Sequence, residues 1–379
     1  HLTWVHSLFA CDGRVYANGD TLTALDGRTG EVLWAKPGWR MLAEPREHRA
    51  YCAQGARIAQ VDPATGAEVW RTDLTAVRGL RARGAERLAR AERAFQLNAA
   101  HRPNPDGCLV VIGGQSELFG LEPGTGTVRW KRREPRCAAF TKDGCGAIYV
   151  NTPRRGPARA LDPETGAQIW RDDAEDSILY DADGGYVMGT RLHGPGGRID
   201  VDYVWGVAER AVVLQGEFPN TSTQLRDGVL YVLHNRQLRA LRARDRAEMW
   251  RVKWRNGLMD LAVPPAGPEA YLRDADRCVH AIDLADGVTR WISAPVPAAE
   301  PRDMVDDVLD RTLPALAEGD LVCVRSHGAQ ALTALDRGDG RERWRMWSRS
   351  GALAMVEPVI ADGRVYARDG AEVKALTEP

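Results

Sequence analysis

The residues able to do chemistry are dispersed along this chain. Its histidines (His1, His6, His48, His101, His193, His234, His280 and His327) form no H-x-x-x-H or H-E-x-x-H pattern, so neither zinc ligation nor a nucleophile–base pair can be assigned to them. The cysteines (Cys11, Cys52, Cys108, Cys137, Cys145, Cys278 and Cys323) include no CxxC and no adjacent pair, which argues against a thiolate metal site. Cys108-Leu109-Val110-Val111 and Leu321-Val322-Cys323-Val324 place the thiol inside apolar runs, where free Cys serves as a small buried hydrophobe. Cys137 and Cys145 are the one pair spaced for a local disulfide. Unpaired thiols point to the reducing cytoplasm, with the periplasm as the alternative. Asp181-Ala182-Asp183-Gly184 begins like a calcium loop, but the twelfth position is Leu192 where an EF-hand needs Glu, so the segment reads as a turn. The expectation is no catalytic residue, no metal and no cofactor.

What does recur is structural. Ala24-Leu25-Asp26-Gly27-Arg28-Thr29-Gly30-Glu31-Val32-Leu33-Trp34 and Ala160-Leu161-Asp162-Pro163-Glu164-Thr165-Gly166-Ala167-Gln168-Ile169-Trp170 share the pattern A-x-D-x-x-T-G-x-x-x-W. Close copies end at Trp70, Trp130, Trp291 and Trp344, and a weaker one at Trp250. A fixed period of this kind specifies an architecture before any single residue does. In a strand–turn–strand unit the small Ala packs closely, Asp and Thr bond turn amides, and Gly takes positive φ where the chain reverses. Trp34, Trp70, Trp130, Trp170, Trp250, Trp291 and Trp344 then fall on the following strand, where an indole fills the wedge between neighbouring sheets and its N–H meets a backbone carbonyl. Upstream, Asp-Gly pairs precede short β-rich strands at Asp12-Gly13, Asp143-Gly144, Asp227-Gly228 and Asp362-Gly363, a strong hairpin signal. Each repeat thus supplies about four antiparallel strands, a propeller blade.

This motif with its Asp-Gly hairpin resembles the pyrroloquinoline-quinone (PQQ)-type propeller repeat, and the resemblance covers almost the whole chain. It implies an all-β, eight-bladed β-propeller of four-stranded antiparallel blades, one domain over 1–379. The family includes quinoprotein dehydrogenases, the propeller lipoprotein of the outer-membrane barrel assembly machinery, and sensor domains fused to bacterial Ser/Thr kinases. The dehydrogenases use an adjacent Cys-Cys pair, which this sequence lacks, so it resembles the non-enzymatic branch. Two points of blade arithmetic stay open. The 80-residue interval between Trp170 and Trp250 holds either two blades or one with a large insertion, and 203–214 reads as a degenerate blade with Leu214 in the Trp position. The C-terminal segment 353–376 lacks a motif Trp and either completes a blade with N-terminal residues or remains as surplus strands.

Material between repeats is where a partner can be recognised, because propeller insertions emerge as loops. In 73–102, Leu80, Leu88, Ala91 and Phe95 keep helical spacing while Arg81, Arg83, Arg87, Arg90 and Arg93 make the remainder basic. The segment is either a helix with a solvated Arg face or a dock for an acidic protein or nucleic-acid surface. In 297–319, Met304, Val305, Val308 and Leu309 face away from Asp306, Asp307 and Asp310, an acidic helix of opposite sign. The segment 181–200 reads as an exposed Gly- and Pro-rich loop. Globally, 51 Lys and Arg balance 52 Asp and Glu, so no overall field attracts nucleic acid or anionic lipid. No run reaches the ~18 apolar residues of a membrane span, and the N-terminus carries neither Met nor a signal pattern. That leaves a removed leader or one module of a longer protein. The expected function is a non-catalytic scaffold or sensing propeller bound to another protein or a fused domain. A ligand- or peptide-binding channel is the alternative, and a PQQ-dependent dehydrogenase the remaining one.

Overall fold

The structure, a computed structural model, describes residues 5–42, 45, 49–74, 98–99, 109–113, 117–133, 138–140, 147–151, 158–172, 177–193, 198–209, 211–216, 223–234, 236–254, 258–264, 267–296, 316–325, 331–347, 358–361, 363–369 and 372–376. Every element of this part is a β-strand. Consecutive strands hydrogen-bond to one another in eight four-stranded sheets, here numbered by chain order: sheet 1 (5–37), sheet 2 (40–73), sheet 3 (98–133), sheet 4 (138–171), sheet 5 (177–216), sheet 6 (223–253), sheet 7 (258–292) and sheet 8 (316–347). They are the four-stranded antiparallel blades of an eight-bladed β-propeller. A further, three-stranded sheet follows at 359–376.

The local reasons are in the repeat. Asp12-Gly13 and Asp227-Gly228 turn with φ of 50° and 70°, and 51° and 73°, the left-handed pair that a two-residue hairpin needs to match strand twist. Between third and fourth strands, Asp62 Oδ1 accepts the Ala64 and Thr65 amides, Thr65 Oγ1 accepts that of Ala67, and Gly66 donates back to the Asp62 carbonyl at 2.8 Å. Asp162 and Thr165 repeat these bonds; in sheets 7 and 8, Asp286 and Asp339 replace Thr. In each of the seven motif-bearing sheets the register shifts by one residue beside this turn, as between Gln60 and Val61. Such a bulge bends the strand and sharpens its twist.

The chain groups into two compact units, one of residues 16–26 and 31–215 and the other of 1–15, 27–30 and 216–379. In the first, Tyr51, Ile58, Leu74, Phe119 and Leu121 form the core between sheets 2 and 3, and Tyr149, Trp170, Leu179, Val187 and Tyr203 that between sheets 4 and 5. In the second, Leu238, Trp250, Leu261 and Leu272 join sheets 6 and 7, and Leu321, Cys323, Leu332, Ile360 and Val365 join sheet 8 to the C-terminal sheet.

The interval between Trp170 and Trp250 holds two blades. Ser177–Asp183, Tyr186–His193, Arg198–Gly206 and Ala211–Gly216 form a complete four-stranded sheet. The expected loop at 181–200 is therefore corrected: it holds most of that sheet's central hairpin, because Tyr186 through Gly189 pair with Gly206 through Tyr203. Within 353–376 the described strands Val359–Ala361, Arg364–Asp369 and Glu372–Leu376 pair with one another. The helices expected within 73–102 and 297–319 lie outside the described residues, apart from short strands at Asn98–Ala99 and Leu316–Glu318. No helix among the described residues is long and apolar enough to cross a membrane.

Candidate functional site

The motif tryptophans stand on fourth strands, and their surroundings repeat. Trp34 Nε1 donates to the Pro63 carbonyl at 3.0 Å, Trp70 to Pro123 at 2.9 Å and Trp130 to Pro163 at 2.8 Å. Trp250 donates to Leu284 at 2.9 Å and Trp291 to Arg337 at 2.7 Å. Each acceptor directly follows the turn carboxylate of the next sheet. The ring lies on that sheet's motif Gly: a Cβ on Gly66 would sit 2.8 Å from Trp34, on Gly166 2.7 Å from Trp130 and on Gly287 2.6 Å from Trp250. Trp170 instead stacks on Trp205, ring centroids 4.6 Å apart, and Trp344 packs over the core shared with the C-terminal sheet.

A second aromatic, not singled out from sequence, completes the joint. Tyr16, Tyr51, Tyr231 and Tyr271, on second strands, tilt against the Trp of their own sheet at 5.9–6.1 Å, and the Tyr16 hydroxyl shares the Pro63 carbonyl with Trp34 at 3.1 Å. The signal was the Tyr closing Asp-Gly-Arg-Val-Tyr and Asp-Gly-Val-Leu-Tyr. Amide side chains add clamps. Asn18 exchanges two bonds with Met41, at 2.8 and 2.7 Å, and Gln224 bonds the Leu261 carbonyl and Val263 amide at 2.8 and 2.6 Å.

Ion pairs bind strands within sheets and between successive sheets as well. Glu68 lies between Arg71 at 2.6 Å and Lys36 at 3.3 Å, and the Arg71 hydrogen bond, ahead of Lys36, holds its carboxyl below the usual range. Glu269, buried, receives Arg290 at 2.7 Å and Arg337 at 2.6 Å. Arg343 joins Asp336 at 2.6 Å and Asp320 at 2.7 Å. His280 and Asp274, 2.7 Å apart, are both buried, with the second Asp274 oxygen accepting the Cys278 amide. That pair organises the turn at 275–278 and offers no open face to a substrate. Cys11, Cys52, Cys278 and Cys323 are free thiols, and burial pushes Cys52 and Cys323 up to about 12. No group of three or more His, Cys, Asp or Glu among the described residues could hold a metal ion.

Outward, the fourth strands present a different surface. In the first unit Val32, Leu33, Val69, Arg71 and Arg129 are exposed; in the second, Met249, Arg251, Arg290, Ile292 and Trp347 are, with Val288 just before its strand. Apolar side chains interleaved with Arg are what a protein partner can desolvate and bond. The candidate partner-binding residues Arg81, Arg83, Arg87, Arg90, Arg93, Asp306, Asp307 and Asp310 lie outside the described residues, as do Cys137 and Cys145.

This architecture has recognisable relatives. The sequence matches the family profile described as outer membrane protein assembly factor BamB over residues 54–179 and 154–373. The chain belongs to this BamB family of PQQ-type repeats. Within the family's reach, it is 30% identical over 270 residues to the serine/threonine-protein kinase AfsK of Streptomyces coelicolor, covering 67% of this chain and 31% of the kinase. The chain therefore spans about a third of that relative's length. The computationally designed Ika8 protein superposes with a TM-score of 0.54 at 11% identity, covering all of this chain and 97% of the design. A quinohemoprotein alcohol dehydrogenase of Pseudomonas putida superposes with a TM-score of 0.50 at 13% identity, covering 97% and 69%. At such identities the likeness is one of fold, and a fold carries many functions.

Proposed function

We propose that this chain is a non-catalytic protein-interaction propeller, used over 1–379 as a scaffold or as the sensing module of a larger bacterial protein. The observation that carries the reading is the fate of the motif. Its Asp, Thr, Gly and Trp are engaged in turns and in joints between sheets, while the outer strands expose apolar side chains and arginines. Support also comes from a family described by an assembly factor and from a kinase relative of which the match covers 31%. The partner is another protein or a fused domain, and the basic 73–102 and acidic 297–319 segments are the preferred docks. Free thiols support a reducing compartment, the cytoplasm.

Partner recovery by the full chain is compared with two variants, one with 73–102 replaced by a short linker and one with Arg81, Arg83, Arg87, Arg90 and Arg93 changed to Glu. Lost recovery from folded variants is the expected result. Unchanged recovery removes that segment as the dock, and a quinone absorbance in the purified protein would overturn the non-catalytic reading itself.

A further inference from the structure

We propose that the outer edge of sheet 6 is a docking site for a partner protein, taking an extended acidic segment of that partner as a fifth strand. The proposal rests on the reading of the chain as an interaction propeller, which it deepens, and uses none of the residues of 73–102.

Charge singles out this edge. In the third and fourth strands of sheet 6, Gln237–Arg242 and Glu248–Lys253, with the turn between them, Arg239, Arg242, Arg244, Arg246, Arg251 and Lys253 stand against only Asp245 and Glu248. The surplus is four positive charges in a chain of net charge −1, whereas the corresponding hairpins of the other six motif-bearing sheets run from −1 to +2. Both carboxylates are committed within the hairpin. Glu248 receives Arg239 at 2.8 Å and Arg251 at 2.9 Å, and Asp245 receives Arg242 at 3.0 Å while its other oxygen accepts the Ala247 amide. Arg242, Arg244, Arg246, Arg251 and Lys253 are exposed, and so is Met249. Arg246 stands at φ +62° where the other six motif turns hold Gly at +67° to +77°, a conformation that is costly for a residue with a side chain. A cation is kept there against the preference of the backbone.

The backbone supplies the other half of the site. Glu248–Lys253 is the last strand of its sheet and, among the described residues, pairs on one side only. The Trp254 amide donates to the Arg236 carbonyl at 2.9 Å, and bonded pairs alternate along an antiparallel ladder, so Val252 and Trp250 turn their N–H and C=O groups to the third strand. Met249, Arg251 and Lys253 then turn theirs to the open edge, a template for a further strand. Cations mark both ends of it: Arg244 and Arg246 lie in the turn before the strand and Lys253 at its close, about 20 Å along a six-residue strand. Edge charges repel a second copy, whose identical edge would set like charges opposite one another. An acidic strand they attract. An exposed Met249 suits a polypeptide with apolar side chains, and the one aromatic ring of these two strands, Trp250, is buried and unavailable for stacking nucleic-acid bases.

A fluorescein-labelled peptide Gly-Asp-Leu-Glu-Val-Asp-Glu-Gly, and a neutral counterpart with Asn and Gln in place of Asp and Glu, are titrated into the full chain at low salt. Saturable binding of the acidic peptide alone is expected, weakening as salt is raised. Arg244→Gln, Arg246→Gly and Lys253→Gln together should weaken it about tenfold or more. Arg246→Gly by itself restores the usual residue of the turn, so it should keep the melting temperature and still weaken binding about twofold or more. The acidic peptide with every backbone amide N-methylated keeps its charge but cannot enter a ladder, and should bind about tenfold more weakly or less. Arg341→Gln, on a side chain 86% exposed in sheet 8, should bind as the parent does. No saturable binding, equal binding of the neutral or the N-methylated peptide, or binding indifferent to the three changes in folded protein overturns the site. So does displacement of the peptide by an oligothymidylate of equal charge and concentration, or a dimer, seen by light scattering, that the three changes dissociate. Absent peptide binding with partner recovery still dependent on 73–102 removes only this edge; peptide binding with recovery unchanged in both 73–102 variants removes only that segment as the dock.

Discussion

Gly66 carries two constraints at once, a φ of +69° and an indole 2.8 Å from any Cβ. Gly30 has the same backbone at φ +75° and open surroundings. Gly66→Ala should therefore cost roughly 2–4 kcal/mol, left-handed strain plus overpacking, and Gly30→Ala about 1 kcal/mol of strain alone. Denaturant midpoints of the two variants check the difference, and equal losses would show that the ring gives way. Charge acts at the same scale. The Arg343 hydrogen bond, followed by the Gly338 amide, holds Asp336 below the ordinary carboxylate range, and the Ala285 amide and Arg290 do so for Asp283. A carboxyl lowered by folding stabilises above its unfolded value, near 4, and that stabilisation disappears as pH falls through the lower folded value. Stability should be level from about pH 5 to 7 and decline below about pH 4. Arg343→Gln should shrink the acid-dependent part, and an identical pH profile in that variant would contradict the assignment. These side chains are only partly buried, so the effect is small.

The fourth strand is the element that turns repeats into a stack. One of its faces delivers Trp to the next sheet's turn, and the other faces solvent. Trp291 is buried, donates to Arg337 at 2.7 Å and leans on Tyr271, while Trp347, on the neighbouring fourth strand, is 51% exposed. Trp291→Ala should cost about 3–5 kcal/mol, and Trp347→Ala within about 0.5 kcal/mol. Matched unfolding curves check this contrast. Comparable losses would mean that Trp347 also cements a joint. The pairing of large inward rings with exposed apolar and Arg positions is what leaves the outer strands available to a partner.

At the scale of the molecule, stacked repeats share stability through their interfaces. The C-terminal sheet covers Leu321, Cys323 and Leu332, bonds Gly27 through Tyr366, and bonds the Val5 carbonyl through Arg368 at 2.7 Å. Truncation after Glu357 should lower the melting temperature by more than about 5 °C. It should also open Cys323, whose thiol burial pushes up to about 12. In the full chain that thiol should resist a thiol reagent at pH 8, with about one thiolate in ten thousand. In the truncated chain it should react without denaturant. Mass spectrometry of the labelled protein decides, and an equally protected Cys323 would place its cover elsewhere.

Sequence alone determined whatever is repeated and local. Asp-Gly hairpins and the Asp-x-x-Thr-Gly turn bond within a few residues, and the motif Trp meets the same position of the next repeat's turn, so the strands, the blades and the seats of the tryptophans could be read from residue types. Tertiary structure decided what depends on residues distant in sequence. Sheet 5 forms without a motif Trp because its hairpins pair along their whole length. The last three strands stand as their own sheet because Tyr366 and Arg368 find acceptors more than three hundred residues earlier, at Gly27 and Val5. Glu269 becomes a buried ionic centre because Arg290 and Arg337 converge on it from two sheets. Gly30 belongs to the same class: its sequence matches the other motif turns, and only the packing reveals that no described side chain lies within 4 Å of a Cβ there.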